Sequence, residues 1–405
     1  MSLEGQAPAA PQEPPTPTFR SSVDAVQLTV IVTDEDGKPV AGLTQGDFEV
    51  VENNSLRPIT TFEEVSVPIE RRERELAERD VLSNDGPPGR LYVIALDEMT
   101  QVSALRARAF LRRFIENHFG PNDTAAVVLT TSGPRDSGQE FTNNPRLLIE
   151  AINKFGGGFG GGDAMPGDMA GYVRERNFVG DFRNLMRFMT TLRGGRKAMI
   201  FVSEGIPVDA FQVVDARPAR FGGIFSDVDP GWIEALSFAT RNNVAVYPID
   251  PRGLTTTLSE AESFDTTELD RRLDLGGLAA VTGGFGLIGS NSYEDAFERL
   301  VVESSFHYLI GFNSAVQQRD GRYVKLEVRV KRPGLQVRSI DGYVAPRGRP
   351  EELRRPKTVL AATWDAVASA ITMTMTRRIS NQRAMSPPVW PASPPNPRSM
   401  ISLKA

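Results

Sequence analysis

Four short apolar runs, each continuous rather than alternating, set the limits on what this chain can fold into. They are LYVIAL (91–96), TAAVVLTT (124–131), KAMIFVS (197–203) and NVAVYPI (243–249). A strand that is apolar at nearly every position must be covered on both faces, as a parallel strand between two layers of helices is. The stretches between the runs carry the helical period instead. SALRARAFLRRFIENHF (103–119) sets Leu105, Phe110, Phe114 and Ile115 along one side, with arginines opposite. FRNLMRFMTTL (182–192) and GWIEALSFATRNN (231–243) repeat the arrangement, and Asn242-Asn243 suits a left-handed cap. Strands alternating with helices predict an α/β fold, with a doubly wound, mostly parallel sheet joined by right-handed crossovers.

Different structure is expected on either side of this core. From Val23 to Val67 the pattern alternates as β-strands do, with turn signals at Asp36-Gly37 and Asn53-Asn54. A second β segment, 305–347, has Asp320-Gly321 between alternating runs, a hairpin signal. Neither segment has enough strands for a two-layer core of its own. The economical arrangement is one flanking β-sandwich built from both, with the α/β domain (91–304) inserted between them. Residues 270–304 read as two further helices around VTGGFGLIG. Residues 1–22 form a Pro-rich spacer, and 68–90 a charged linker containing ERRERELAERD. The tail, 348–405, holds one helical stretch, VLAATWDAVASAI (359–371), before losing all periodicity.

Composition excludes several chemistries. There is no cysteine, so thiolate catalysis, disulfides and thiolate-bound metals are absent. The two histidines, His118 and His307, lie far apart without partner motifs, which leaves little to build a zinc site or a Ser-His-Asp triad from. A formal charge of −5, with no basic patch, argues against nucleic acid as a partner. No apolar run reaches the roughly 20 residues needed to span a bilayer.

In a doubly wound sheet, ligands sit beyond the carboxyl ends of the strands. Asp97 leaves the first run there, Glu204 the third and Asp250 the fourth. The glycine-rich segment GGGFGGGDAMPGDMAG lacks the Lys-Ser/Thr of a phosphate-binding loop, so 156–180 is expected as a mobile surface loop beside the same edge.

The order of these segments resembles that of the von Willebrand factor A (VWA)-related proteins of the acidobacterial type. The resemblance rests on the strand ending in Asp97, GRKAMIFVSEG (195–205), NVAVYPIDPRGL (243–254), and VTDEDGKPVAGLTQGDF (32–48) ahead of the domain. It also rests on the TGG segment, YLIGF, and GRYVKLEVRVKRPGLQVRSIDGYVA. It covers roughly residues 23–345. It implies a Rossmann-like VWA domain flanked by β-structure, in an extracytoplasmic protein that binds other proteins. Such domains often hold Mg²⁺ through D-x-S-x-S, a Thr from a second loop and an Asp from an SDG-like turn. Asp97 matches the first Asp, but Met99 and Gln101 stand in the two serine positions. Glu204 stands where the later Asp would be, and Thr100 or Asp163 would have to replace the Thr. The resemblance therefore implies a degenerate site for Mg²⁺, or for Ca²⁺ or Mn²⁺, at Asp97, Glu204, Thr100 and Asp163.

The function expected is protein binding without catalysis, the partner docking on loops 97–103, 156–180 and 204–230. Met99, Gln101, Phe211, Arg217, Arg220, Phe221 and Phe225 are the candidate contacts, since aromatics and arginine supply much interface energy. The alternatives are a metal-assisted hydrolase built on Asp97, Glu204 and Asp250, and a structural scaffold of the envelope. The sequence names neither the partner nor the oligomeric state.

Overall fold

A computed structural model describes residues 25–70, 89–130, 138–158, 167–192, 196–211, 229–254, 266–316 and 318–347. The linker 71–80 and the helical stretch 359–371 lie outside the described residues. The central sheet takes β5 (Leu91–Leu96), β6 (Thr124–Leu129), β7 (Gln139–Thr142), β8 (Lys197–Val202) and β9 (Val244–Ile249) in the order β7-β6-β5-β8-β9. β5, β6, β8 and β9 run parallel, and β7 closes one edge antiparallel. The protein is thus mixed α/β with a mostly parallel sheet. The four parallel strands are those the continuous apolar runs marked, and both of their faces are covered.

Helices α1 (Gln101–Asn117), α2 (Pro145–Lys154) and α6 (Tyr293–Ser305) lie on one face, where Phe110, Phe114, Ile152 and Phe297 meet Tyr92, Ile94 and Ile200. Helices α3 (Gly167–Met189), α4 (Pro230–Arg241) and α5 (Thr266–Thr282) lie on the other, where Phe178, Phe182, Trp232 and Leu278 meet Val93, Met199 and Phe201. Pro and an Asx cap begin α2 and α4 alike: Asn144 accepts from Arg146 N and Asp229 from Gly231 N. Asn243, with φ 58°, turns the chain out of α4 into β9.

Two details depart from the sequence reading. Residues 167–180, expected within a loop, form the first half of α3. Its apolar stripe (Phe178, Phe182, Leu185, Met186, Met189) faces the sheet, and burial of that stripe outweighs the glycines nearby. Leu105 is exposed at 58%, and Ala104, Ala107 and Leu111 fill the face of α1 assigned to it.

The flanking strands are β1 (Ala25–Thr33), β2 (Phe48–Glu52), β3 (Ser55–Arg57), β4 (Ile59–Ser66), β10 (Phe306–Asn313), β11 (Tyr323–Val330), β12 (Gln336–Arg338) and β13 (Gly342–Val344). They form two four-stranded sheets, β12-β1-β10-β4 and β13-β11-β2-β3, and each sheet draws strands from both ends of the chain. Val26, Leu28, Val30, Tyr308 and Ile310 from one meet Phe48, Val50, Val324 and Leu326 from the other in one apolar core. Asn53-Asn54, with φ 46° and 64°, makes the tight β2–β3 turn. Asp320-Gly321 does not join a hairpin, because β10 and β11 belong to opposite sheets. The sandwich rests on α4 and the amino ends of the central strands. Val344 packs in the core beneath α4, its N–H donates to Thr240, and Gln27 bridges to Asn242.

Candidate functional site

Strand register builds the site. Leu96 pairs with Leu129 on one side and with Val202 on the other, and Val202 pairs with Ile249. The next residue of each strand therefore falls on one rung: Thr130, Asp97, Ser203 and Asp250, in that order across the sheet. Side chains alternate along a strand, and Val93, Ala95, Met199, Phe201, Ala126 and Val128 all face α3 and α4. The rung faces the same way. β5 is also where the connections reverse direction, leading to β6 on one side and β8 on the other, so the rung lies at the topological switch point.

Asp97 is 5% exposed and is held from both sides. Thr130 Oγ1 donates to its Oδ1 at 2.6 Å and Ser203 Oγ to its Oδ2 at 2.8 Å. Burial pushes its carboxyl up to about 6, against the pull of these two hydroxyls. Asp181, from α3, is a second buried carboxyl on this side of the sheet, and its Oδ1 has no hydrogen-bond partner. Burial, and then the charge of Asp97, raise Asp181 well above the carboxylate range.

The surrounding loops are tied together across the edge. Thr100 caps α1, accepting from Ser103 N at 3.3 Å, and donates to Glu204 Oε1 at 2.8 Å. Glu98 pairs with Arg174 of α3 at 3.3 Å. Gly205 has φ 153°, and a Cβ there would stand 2.9 Å from Arg271 Cβ, so only glycine lets this loop lie on α5. Asp250 is fully buried between Arg252, 2.9 Å from Oδ1, and Arg272, 2.6 Å from Oδ2. Arg252 also donates to the Glu204 carbonyl, and Arg106 of α1 donates to the Arg252 carbonyl at 2.7 Å.

The structure thus brings Asp97, Thr100, Glu204 and Asp250 to one edge, but each is engaged with a different neighbour. Asp97 binds hydroxyls, Glu204 binds Thr100, and Asp250 is neutralised by two guanidiniums. Among the described residues no three acidic or histidine side chains gather as a ligand set. The donors fit Mg²⁺ poorly for the same reason, since such an ion needs several oxygens aimed at one point.

Met99, expected to meet a partner, is fully buried in the core under α1; only its carbonyl is used, by Gly158 N at 2.9 Å. Phe211 is also turned inward, its ring lying over Gly277 of α5. Gln101 is exposed at the first position of α1. Asp163, Arg217, Arg220, Phe221 and Phe225 lie outside the described residues. Sequence reasoning missed Thr130 and Asp181. Thr130 ends its run just as Asp97 does, and Asp181 is the one acid placed among the apolar positions of the 178–189 stripe.

A feature of the edge that periodicity did not announce is its apolar surface. Val102 is 61% exposed, Leu105 58%, Tyr172 45%, Leu254 65% and Leu273 57%. Val102 and Leu105 lie in the first turns of α1, Tyr172 lies near the start of α3, and Leu254 follows β9. Leu273 stands half a turn beyond Arg271, whose carbonyl accepts from Ile206 N. Only three other large apolar side chains, Leu56, Ile69 and Leu147, are exposed among the described residues.

No family model matches this chain, and no curated protein matches it.

Proposed function

We propose that this chain is a protein-binding module of the VWA-related kind, working outside the cytoplasm, whose partner docks along the carboxyl edge of the central sheet. One observation carries the reading. Five of the eight large apolar side chains exposed among the described residues lie along that edge, and such clustering marks a contact surface where scattered exposure does not. The polar groups of the edge support it. The Thr100–Glu204, Glu98–Arg174 and Arg106–Arg252 links hold the loops in a fixed shape, so little ordering cost falls on binding.

Docking in this reading does not require a resident divalent ion, because the oxygens of Asp97 are taken by Thr130 and Ser203. The pairing of Asp250 with two arginines supports binding over hydrolysis at this edge. The test compares proteins captured from the native envelope by wild type and by Leu105→Asp/Leu254→Asp, with and without EDTA. The expected result is loss of specific partners in the double variant and indifference to EDTA. Recovery of the same set by both proteins would leave only a scaffold role. Capture that is lost in EDTA would restore the metal-dependent reading.

A further inference from the structure

The opposite pole of the central sheet, where the sandwich meets it, holds a cleft built from both lobes. Its lining includes Thr29 of β1, Arg338 of β12 and Ser339 from the sandwich, with Arg196, Asn243 and Thr282 from the α/β domain. The atom-free space, counted out to the open mouth, is about 350 Å³.

Three observations give this cleft a chemistry. The first is positive charge: Arg196 and Arg338 line the cleft, and among the described residues no acidic one does. Arg196, Arg299 and Arg338 share one carboxylate, Glu303, which is 4% exposed. Arg299 Nε stands 2.8 Å from it, Arg196 Nη2 3.7 Å, and Arg338 Nη2 contacts it directly. Of the three arginines only Arg196 is buried, Arg338 and Arg299 being 38% and 52% exposed along their side chains, so solvent reaches the mouth where Arg338 stands.

The second is an unused donor. Asn243 is 7% exposed, its Oδ1 accepts from Thr29 Oγ1, and its Nδ2 is buried with no hydrogen-bond partner. Buried polar groups are nearly always paired, so an orphan donor on a cleft wall marks where an acceptor sits. The third is that Arg196, 6% exposed, is held in place by neighbouring protein groups. Its Nε donates to Tyr247 Oη at 2.8 Å and its Nη2 to the Gly283 carbonyl. A guanidinium held this way presents its remaining face without further loss of side-chain freedom.

We propose that this cleft binds a small oxyanion, of the phosphate, sulfate or carboxylate kind, between Arg196, Arg338 and Asn243. The anion meets the positive charge of Arg196 and Arg338 on the cleft wall and supplies the acceptor Asn243 lacks. Bound there, it joins the sandwich to the α/β domain and stabilises their contact.

Titration calorimetry of the full chain with inorganic phosphate and with sulfate, at constant ionic strength in chloride, tests this. The expected result is saturable binding near one anion per chain. Asn243→Gly, which keeps the positive φ and removes the amide, should weaken binding at least tenfold. So should Arg338→Gln, whose side chain is partly exposed, while Leu254→Asp at the far pole should leave it unchanged. Circular dichroism and thermal unfolding without anion establish that each variant folds, and an unfolded Arg338→Gln leaves the decision to Asn243→Gly. Absence of saturable binding, binding equal in wild type and Asn243→Gly, or equal competition by chloride would each overturn the proposal.

Discussion

Both ends of the central sheet bury charge, but only the carboxyl end also gathers apolar side chains in solvent. At the amino end, Glu303 meets three arginines, of which Arg338 comes from the sandwich, and within the α/β domain Arg90 pairs with Asp123 at 2.7 Å, both under 5% exposed. At the carboxyl end, loops are stitched by short local bonds and apolar side chains are left in solvent. The first pattern belongs to a contact already made within the chain. The second belongs to a contact the chain has yet to make. Because parallel strands all point one way, a single sheet provides both poles.

The comparison breaks most readily at Glu303. Removing it leaves Arg196, whose side chain is 3% exposed, without its carboxylate, beside the more exposed Arg299 and Arg338. Breaking a buried pair in this manner costs about 3–5 kcal/mol. Glu303→Ala is therefore expected to lower the denaturant midpoint steeply or prevent folding, with Arg299→Ala, half in solvent, costing far less. Equal, small losses in both variants would mean that the amino pole is no more committed than the surface.

Acid sharpens the contrast, because His307 at the amino pole and Asp97 at the carboxyl pole titrate with opposite sign. His307 is 1% exposed beside Arg196; burial first and that cation second push its imidazole down to about 3, from 6.5. Between those values the unfolded chain takes up a proton that the folded chain refuses. Stability is full above pH 6.5 and falls as pH drops, by about 1.4 kcal/mol per unit, or about 3 kcal/mol by pH 4. Asp97 works the other way. Its carboxyl is raised from 3.8 to about 6, so between those values the folded chain keeps a proton the unfolded chain has released. Its contribution is present below pH 3.8 and is lost as pH rises towards 6, again by about 3 kcal/mol. Urea titrations from pH 4 to 7 should show His307→Gln less acid-sensitive than wild type and Asp97→Asn more so.

These poles were not equally legible in the sequence. The carboxyl rung was half visible: Asp97, Glu204 and Asp250 each follow an apolar run, and strand direction alone places them together. Their partners were hidden, because which hydroxyl reaches Asp97 depends on register between strands far apart in the chain. Helix α3 was read late because a window rich in glycine conceals the start of a stripe that becomes regular only at Phe178. The amino pole was invisible. Arg196, Glu303 and Arg338 carry no motif and meet only when two terminal β segments close over the domain. The folding of those segments into shared sheets followed from counting strands, whereas the charges they bury follow from packing that no local pattern records.

Between these extremes lies Thr100, which joins the two descriptions of the carboxyl edge. It caps α1 through Ser103 N and holds Glu204 through its own proton. Thr100→Ala is expected to cost about 1 kcal/mol through the lost cap. Thr100→Ser should restore it, while loss of the Glu204 tether alone loosens the edge without altering the core.

The smallest expected change in stability is the one that decides most about function. Val102→Asp and Leu254→Asp replace side chains that are 61% and 65% exposed. Neither belongs to an apolar core among the described residues, so each is expected to stay within about 0.5 kcal/mol of wild type in denaturant unfolding. A residue that contributes nothing to the fold, yet keeps a large apolar side chain in water beside four others, costs solubility unless something covers it. If the two variants match wild type in stability and lose their partner together, the apolar edge is a binding surface in fact. If instead either variant unfolds the chain by several kcal/mol, these side chains pack against parts of the chain outside the described residues. The contrast between the two poles then disappears, because both would be contacts already made within the chain.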